Sequence, residues 1–186
     1  MLHIYSMKYS RRNFIKTSGL VIGSLPFASI ANSMNRKIKV GLIGCGGRGV
    51  GALVQAMTAD RDVIVTALAD VFPEQLDQAL KLAQRKDNAR VDVPKERQFL
   101  GFESYKQLID TDVDIVLLCS PPNFRPDHME YAVSKGKHIF CEKPVAIDIP
   151  GLKRVMESVK AAKEQNLNIV SGFCFRYLVP NREIMK

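Results

Sequence analysis

Residues 41–49 read Gly41-Leu42-Ile43-Gly44-Cys45-Gly46-Gly47-Arg48-Gly49, and this stretch decides the fold. The apolar run before the first loop glycine is β-branched at Ile38, Val40 and Ile43, the pattern of a strand buried on both faces. After the loop, Val50, Leu53, Val54 and Met57 recur at helical spacing. Gly44, Gly46 and Gly49 therefore stand between a strand and a helix in the spacing G-x-G-x-x-G. Each has a physical reason: a tight turn, a close backbone approach to a pyrophosphate, and close packing of helix on sheet. A pyrophosphate would rest on the helix N-terminus, where free N–H groups and the helix dipole favour an anion. Asp70 lies 21 residues after Gly49, where a carboxylate ending a second strand can accept hydrogen bonds from ribose hydroxyls. Gly44, Cys45, Gly46, Gly47, Arg48, Gly49 and Asp70 are the cofactor-binding candidates. An acid at position 70 favours NAD, because it repels a 2′-phosphate. NADP is not excluded, since Arg48 in the loop can receive a phosphate instead.

Further along, apolar runs alternate with helical patterns. Residues 63–69 read as a second strand, and Leu76, Ala79, Leu80 and Ala83 mark a helix that Pro73 opens. Residues 85–95 are polar and read as an exposed loop. Residues 97–99 read as a short strand and 103–109 as a short helix. Residues 113–119 read as a buried strand that Pro121-Pro122 breaks, and 126–135 as a helix with Met129, Ala132 and Val133 inward, ended by Gly136. Residues 138–141 form the next strand. Asp148 reads as the N-cap of a helix reaching Gln165, with Leu152, Val155, Met156 and Val159 on one face. A strand over 168–173 closes the series. Strands alternating with crossover helices predict an α/β fold, a doubly wound parallel Rossmann sheet with helices on both faces, spanning residues 38–177.

The N-terminal segment has a different character. Ser10-Arg11-Arg12-Asn13-Phe14-Ile15-Lys16 resembles the twin-arginine export motif, and the apolar stretch 17–31 follows it. Fifteen residues rise about 22 Å as a helix, short of a ~30 Å hydrocarbon core. Ser29-Ile30-Ala31 offers small residues for cleavage, with a mature start near Asn32. Residues 1–31 are thus expected to be a signal peptide, 32–37 a linker, and the protein periplasmic or otherwise exported, with no other membrane association. The signal also explains much of the charge. The whole chain of 186 residues has 27 Lys+Arg against 19 Asp+Glu, a net of +8. Without Lys8, Arg11, Arg12 and Lys16 the balance is +4, and the remaining cations are dispersed, which gives no nucleic-acid footprint. With 46% hydrophobic and 25% charged residues, the chain is neither a disordered tail nor a low-complexity polymer. Cys45, Cys119, Cys141 and Cys174 fall near strand ends without C-x-x-C spacing, so buried thiols rather than a metal site are expected.

Together, 41–51, Asp70, Cys119-Ser120-Pro121-Pro122, His128, Gly136-Lys137-His138-Ile139-Phe140-Cys141-Glu142-Lys143-Pro144 and Gly172-Phe173 resemble the Gfo/Idh/MocA oxidoreductases. The similarity covers about residues 37–185. It implies that Glu142-Lys143-Pro144 is the family's Glu-Lys-Pro motif, with Lys143 catalytic beside the nicotinamide and the substrate hydroxyl. Hydride loss from a carbinol carbon must be matched by proton loss from its oxygen, which a lysine made acidic by burial or a neighbouring cation can assist. It implies too that Ser120, Pro121 and Pro122 pack along the cofactor, that His128 is a structural residue near it, and that Arg176 lies near the nicotinamide face.

The resemblance also implies a second, largely antiparallel α/β domain after the sixth strand, carrying the substrate pocket and usually the oligomer surface. The sequence ends at Lys186, so that domain is expected to be absent, with 178–186 beginning the connection toward it. The expected activity of the parent is NAD(P)-dependent hydride transfer to or from a sugar, polyol or related hydroxyl compound, in a homo-oligomer. A related branch of glycosidases with tightly held NAD is the alternative, and a nucleotide-binding module without turnover is the third.

Overall fold

The computed structural model describes residues 36–184; the twin-arginine motif, the apolar stretch 17–31 and most of the expected linker lie outside them. The order is β1 (Ile38–Ile43), α1 (Gly47–Ala59), β2 (Val63–Asp70), α2 (Pro73–Asp87), β3 (Gln98–Leu100), α3 (Ser104–Ile109), β4 (Ile115–Leu118), α4 (Arg125–Ser134), β5 (His138–Cys141), α5 (Ile149–Glu164), β6 (Ile169–Ser171), and the short helices α6 (Cys174–Tyr177) and α7 (Val179–Ile184). The strands form one sheet in the order β3-β2-β1-β4-β5-β6, and every pair is parallel. This is a doubly wound Rossmann sheet.

Parallel strands need both faces covered, and the core accordingly divides in two. On one face Val40, Leu42, Val65 and Leu68 pack with Leu53 and Met57 of α1 and Leu76 and Ala79 of α2. On the other, Ile43, Val116, Leu118 and Ile139 pack with Leu108 and Ile109 of α3, Met129 and Val133 of α4, and Val155 and Ala162 of α5. The β1–β2 register slips between Val40, opposite Val65, and Gly41, opposite Ala67. Thr66 is the extra residue of this bulge, and it exchanges the two faces of β2 beyond it. Val65 and Leu68 consequently share a face despite their odd spacing, and Asp70 is brought to the face that carries α1.

Two expectations are corrected. Residues 85–95 are not a plain exposed loop. α2 continues to Asp87, a 3-10 turn follows at Asn88–Arg90, Val91 bridges to Val65, and Val93 is buried. Arg90 Nη1 donates to Met57 O at 2.8 Å and Asp60 O at 3.1 Å, satisfying carbonyls at the end of α1. The second correction concerns α5. Asp148 does cap it, its Oδ1 accepting from Gly151 N at 2.7 Å. The buried stripe, however, is Gly151, Val155, Ser158 and Ala162, while Leu152, Met156 and Val159 are exposed. Small residues let the helix lie close to α4: a Cβ on Gly151 would stand 3.2 Å from Pro126 Cγ.

The glycines of the first loop have unequal structural demands. Gly44 has φ +91°, and a Cβ there would lie 2.4 Å from Ser120 N. A Cβ on Gly49 would lie 1.9 Å from Gly44 O, whereas one on Gly47 would meet nothing within 4 Å. Gly49→Ala is therefore expected to destabilise the fold by about 3 kcal/mol or more, and Gly47→Ala to stay within about 0.5 kcal/mol of the native protein. Urea denaturation of the two variants checks this; equal stability would remove the packing role of Gly49.

Candidate functional site

β1 and β4 are neighbours, and the chain leaves them toward opposite sides of the sheet, so a crevice opens at their carboxyl ends. Its volume is about 700 Å³. Gly44, Gly46, Gly47, Asp70, Ser120, Pro121 and His128 line it, all of them expected from the sequence. Val71, Phe72, Phe102, Tyr105 and Phe124 add apolar surface to it and Gln75 an amide; none of these stands out in the sequence, because residues scattered over separate loops and helices share no period. At the floor of the crevice α1 begins without a side-chain cap and without an acid in its first turn. Its leading N–H groups remain available for an anion. A Cβ on Gly46 would find only Gln75 Oε1, at 3.9 Å, so the backbone here faces open space. These features fit the pyrophosphate of a dinucleotide.

Asp70 has two structural contacts. Its Oδ2 accepts from Cys45 N at 2.6 Å and its Oδ1 from Phe72 N at 3.0 Å. The carboxylate thus fixes the glycine loop and the turn after β2. A carboxylate has about four lone-pair sites, and the residue still lines the crevice, so acceptor capacity remains for ribose hydroxyls. Cys45 and Gly49 do not line the crevice: the Cys45 thiol is buried and reaches Ala69 O at 3.5 Å, and Gly49 packs against Gly44.

The wall formed by the β4–α4 loop is held from beneath. Ser120 Oγ and His128 Nδ1 are 3.1 Å apart. The His128 ring stacks on Tyr105, with centroids 4.2 Å apart. Burial pushes His128 down to about 4, so the ring is neutral at pH 7 and serves as a hydrogen-bond partner for Ser120. Beside it lies Arg125, 5% exposed, which the sequence reading passed over. Its Nε donates to Ser120 O at 2.9 Å, and its Nη1 donates to Glu142 O at 2.8 Å and to Pro144 O. One guanidinium therefore ties the Ser120-Pro121-Pro122 loop to the Glu142-Lys143-Pro144 turn, where the Lys143–Pro144 peptide is cis. Pro122 is part of the turn that starts α4, its carbonyl accepting from Arg125 N at 3.4 Å.

Arg48 does not line the crevice. Its Nε and Nη2 reach Glu142 Oε1 at 2.8 and 2.5 Å. Glu142 is buried against Gly172, whose Cβ, were there one, would lie 2.6 Å from Oε1. Lys143 is exposed rather than buried, and it lines a second, open cavity of about 900 Å³. Arg176 lines that second cavity too, and not the dinucleotide crevice. The thiols divide: Cys119 is pushed up to about 12 and Cys141 to about 11, chiefly by burial, and Cys45 is raised further by burial and the charge of Asp70. All three are protonated at neutral pH and unreactive, whereas Cys174 is exposed, against expectation. Among the described residues no cluster of His, Cys, Asp or Glu is placed to share a metal ion, and no helix is long and apolar enough to cross a membrane.

A switch-point crevice with a glycine loop on a free helix N-terminus and an acid ending β2 defines a dinucleotide-binding Rossmann domain. The family described as the oxidoreductase family with an NAD-binding Rossmann fold matches residues 38–173, and the chain belongs to it, the Gfo/Idh/MocA family. A glycosyl hydrolase family 109 protein of Shewanella pealeana is 27% identical over 182 residues, covering 85% of this chain and 38% of that protein. An inositol 2-dehydrogenase of Acidothermus cellulolyticus is 31% identical over 143 residues, covering 77% of this chain and 38% of that enzyme. The crystal structure of scyllo-inositol dehydrogenase from Lactobacillus casei, with bound NAD(H) and scyllo-inositol, matches with a TM-score of 0.64 at 26% identity, covering 80% of this chain and 40% of that one. The chain thus spans about two fifths of the length of these relatives.

Gly46→Asp has room for its side chain and an extended backbone (φ −67°, ψ 179°), yet sets a carboxylate where an anion must approach. It is expected to keep the native unfolding midpoint and to lose NAD⁺ binding at least about a hundredfold by calorimetry; native affinity would move the pyrophosphate elsewhere. His128 titrates near 6.5 when unfolded and near 4 in the fold. Its contribution to stability is full above pH 6.5 and lost as the pH falls toward 4, a window of ~3 kcal/mol. Denaturation at pH 7, 5 and 4 is expected to show a shallower decline in His128→Gln; an identical slope would exclude His128 as its source.

Proposed function

We propose that the protein is an NAD-dependent oxidoreductase that moves a hydride between the nicotinamide and a sugar, polyol or related hydroxyl compound, with the described domain as its cofactor-binding part. The observation that carries this reading is the Arg125 tether. It holds the turn bearing Lys143 to the loop that walls the dinucleotide crevice, so a proton-transfer group stands next to the cofactor site. When bound, NAD⁺ accepts a hydride from a carbinol carbon. The chain's own residues supply the rest. The glycine loop and the α1 N-terminus bind the pyrophosphate, Asp70 accepts from the ribose, and Ser120, fixed by His128, shapes the wall. Lys143 Nζ exchanges the proton of the reacting hydroxyl. The inositol 2-dehydrogenase relative supports a polyol-like substrate.

A second reading rests on the glycosyl hydrolase family 109 relative, whose match covers 85% of this chain: glycoside cleavage with tightly held NAD. In the full-length parent, net NADH formation supports dehydrogenation, and cleavage without net NADH supports the glycosidase. Export by the twin-arginine route belongs to the same proposal and rests on the 10–16 motif and the apolar stretch after it. Replacing Arg11 and Arg12 by Lys is expected to leave the protein in the cytoplasm; unaltered export would exclude that route.

The cofactor reading is tested by titrating the chain with NAD⁺ and NADP⁺. Saturable NAD⁺ binding, at least about tenfold tighter than NADP⁺, is expected, because Asp70 faces the crevice while Arg48 is held by Glu142. Absence of NAD⁺ binding would overturn the proposal, and a preference for NADP⁺ would overturn the role of Asp70. In the full-length parent Lys143→Ala is expected to lower kcat about a hundredfold or more; full retention would remove Lys143 from the chemistry.

A further inference from the structure

Arg125 holds its two segments with only part of its guanidinium. An arginine has five N–H donors, one on Nε and two on each Nη. The Nε donor goes to Ser120 O, and the two on Nη1 go to Glu142 O and Pro144 O. The pair on Nη2 donates to nothing among the described residues. Nη2 is not sealed in either: among the described residues the fully enclosed polar side-chain atoms without a partner are Thr66 Oγ1 and Ser171 Oγ. Arg125 is 5% exposed, and it lines the dinucleotide crevice and not the second cavity. The little surface it keeps therefore belongs to the crevice. A group so nearly enclosed by its own domain is reached by a small molecule that enters the crevice, not by a protein surface laid over it. Its charge is open as well, since no carboxylate among the described residues pairs with it. Charged donors in so dry a place gain most from an acceptor that a ligand brings.

The crevice has an order along its length. Asp70 stands at the β2 end, the α1 N-terminus lies at the floor, and Ser120 and Arg125 stand at the β4 end. With the adenosine ribose at Asp70 and the pyrophosphate on α1, the nicotinamide nucleoside is the part left for the β4 end. We propose that Arg125 is a cofactor ligand as well as a tether: Nη2 donates to an acceptor oxygen of the nicotinamide nucleoside, either the carboxamide oxygen or a ribose hydroxyl. This deepens the oxidoreductase reading and rests on its placement of the dinucleotide; the two unused donors rest on the hydrogen bonds of the domain alone. The guanidinium is one rigid plane. Its Nη2 edge meets the nucleoside while Nη1 holds the turn that bears Lys143, so the reacting half of the cofactor and the proton-exchanging lysine are kept in register by a single group.

The test titrates the chain by calorimetry with NAD⁺, nicotinic acid adenine dinucleotide, ADP-ribose and ADP, while ¹⁵N NMR follows the Arg125 guanidinium. Its resonances are assigned by through-bond correlation in the native chain, so the reading does not depend on a variant that loses the tether. Saturating NAD⁺ is expected to shift them, and ADP, which lacks the nicotinamide nucleoside, to leave them in place. The other two probes identify the oxygen. If it is the carboxamide, putting a carboxylate there makes a charge-assisted pair: nicotinic acid adenine dinucleotide then binds about tenfold tighter than NAD⁺ or better, and the gain vanishes in Arg125→Gln. If it is the ribose, ADP-ribose shifts the resonances as NAD⁺ does and the carboxylate brings no gain. Resonances unmoved by NAD⁺, resonances moved as much by ADP, a carboxylate gain that survives Arg125→Gln, or the lack of both the carboxylate gain and the ADP-ribose shift would each overturn the proposal. The calorimetry reports separately on the cofactor: NAD⁺ binding with an unmoved Arg125 sinks this inference alone, and absence of NAD⁺ binding sinks the reading beneath it.

Discussion

The close approach of three backbone segments at the β1–β4 junction is the constraint on which the rest depends. Gly44 turns with positive φ directly beneath Ser120, and Gly49 brings the first turn of α1 against the Gly44 carbonyl. Side chains at positions 44 and 49 would push β1 from β4 and lift α1 from the sheet. With α1 lifted, its N–H groups no longer point into the crevice, and Val50, Leu53 and Met57 leave the core they share with Val40 and Leu42. The same contact therefore closes the core and shapes the anion site, and function at Gly46 is possible because packing is met by its neighbours.

Arg125 extends that order to the Glu142-Lys143-Pro144 turn. A buried guanidinium is costly unless its donors are satisfied, and here Nε and Nη1 are met by carbonyls at Ser120, Glu142 and Pro144. Among the described residues no carboxylate pairs with it, so the interaction is governed by the course of the two segments rather than by charge alone. A shift of either segment leaves a desolvated donor unpaired, which costs about 1–3 kcal/mol. The loop beside the cofactor and the turn presenting Lys143 are thereby held to each other's position, although β4 and β5 are short strands that alone fix little beyond their own ends.

What was legible in the sequence was what is local. The strand-glycine-helix stretch, the capping Asp148, the Gly136 stop and the alternation of strands and helices each follow from neighbouring residues. The family motif adds Lys143 by likeness. What was not legible depends on partners far along the chain. Arg48 reads as a phosphate ligand from its loop, but Glu142 stands 94 residues away and takes it. Arg125 looks like any arginine at a helix start until its three carbonyls are placed around it. The bulge at Thr66 leaves no mark in the apolar pattern, yet it decides which face receives Asp70. On α5 the larger apolar residues form a stripe at helical spacing, but the smaller ones at 151, 155, 158 and 162 pack closer and win the buried side. Period tells that a helix has faces; volume and distance tell which one goes inside.

The Arg48–Glu142 pair joins these threads. Glu142 has a side chain only 5% exposed, and a carboxylate so enclosed must be neutralised or paired. Arg48 pairs with it from the first turn of α1, so the glycine loop is linked to the exit of β5 by charge as well as by the sheet. The pairing also separates the two concavities electrostatically. On the crevice side it holds back a cation that would otherwise welcome a 2′-phosphate, leaving Asp70 as the acid there beside Arg125, whose guanidinium is held by carbonyls. On the other side it occupies the acid adjacent to Lys143, leaving the second cavity with positive charge uncompensated by its own lining. One ion pair thus leaves neighbouring concavities with groups of opposite sign: the acid Asp70 in the crevice, and the cations Lys143, Arg176 and Arg182 around the second cavity.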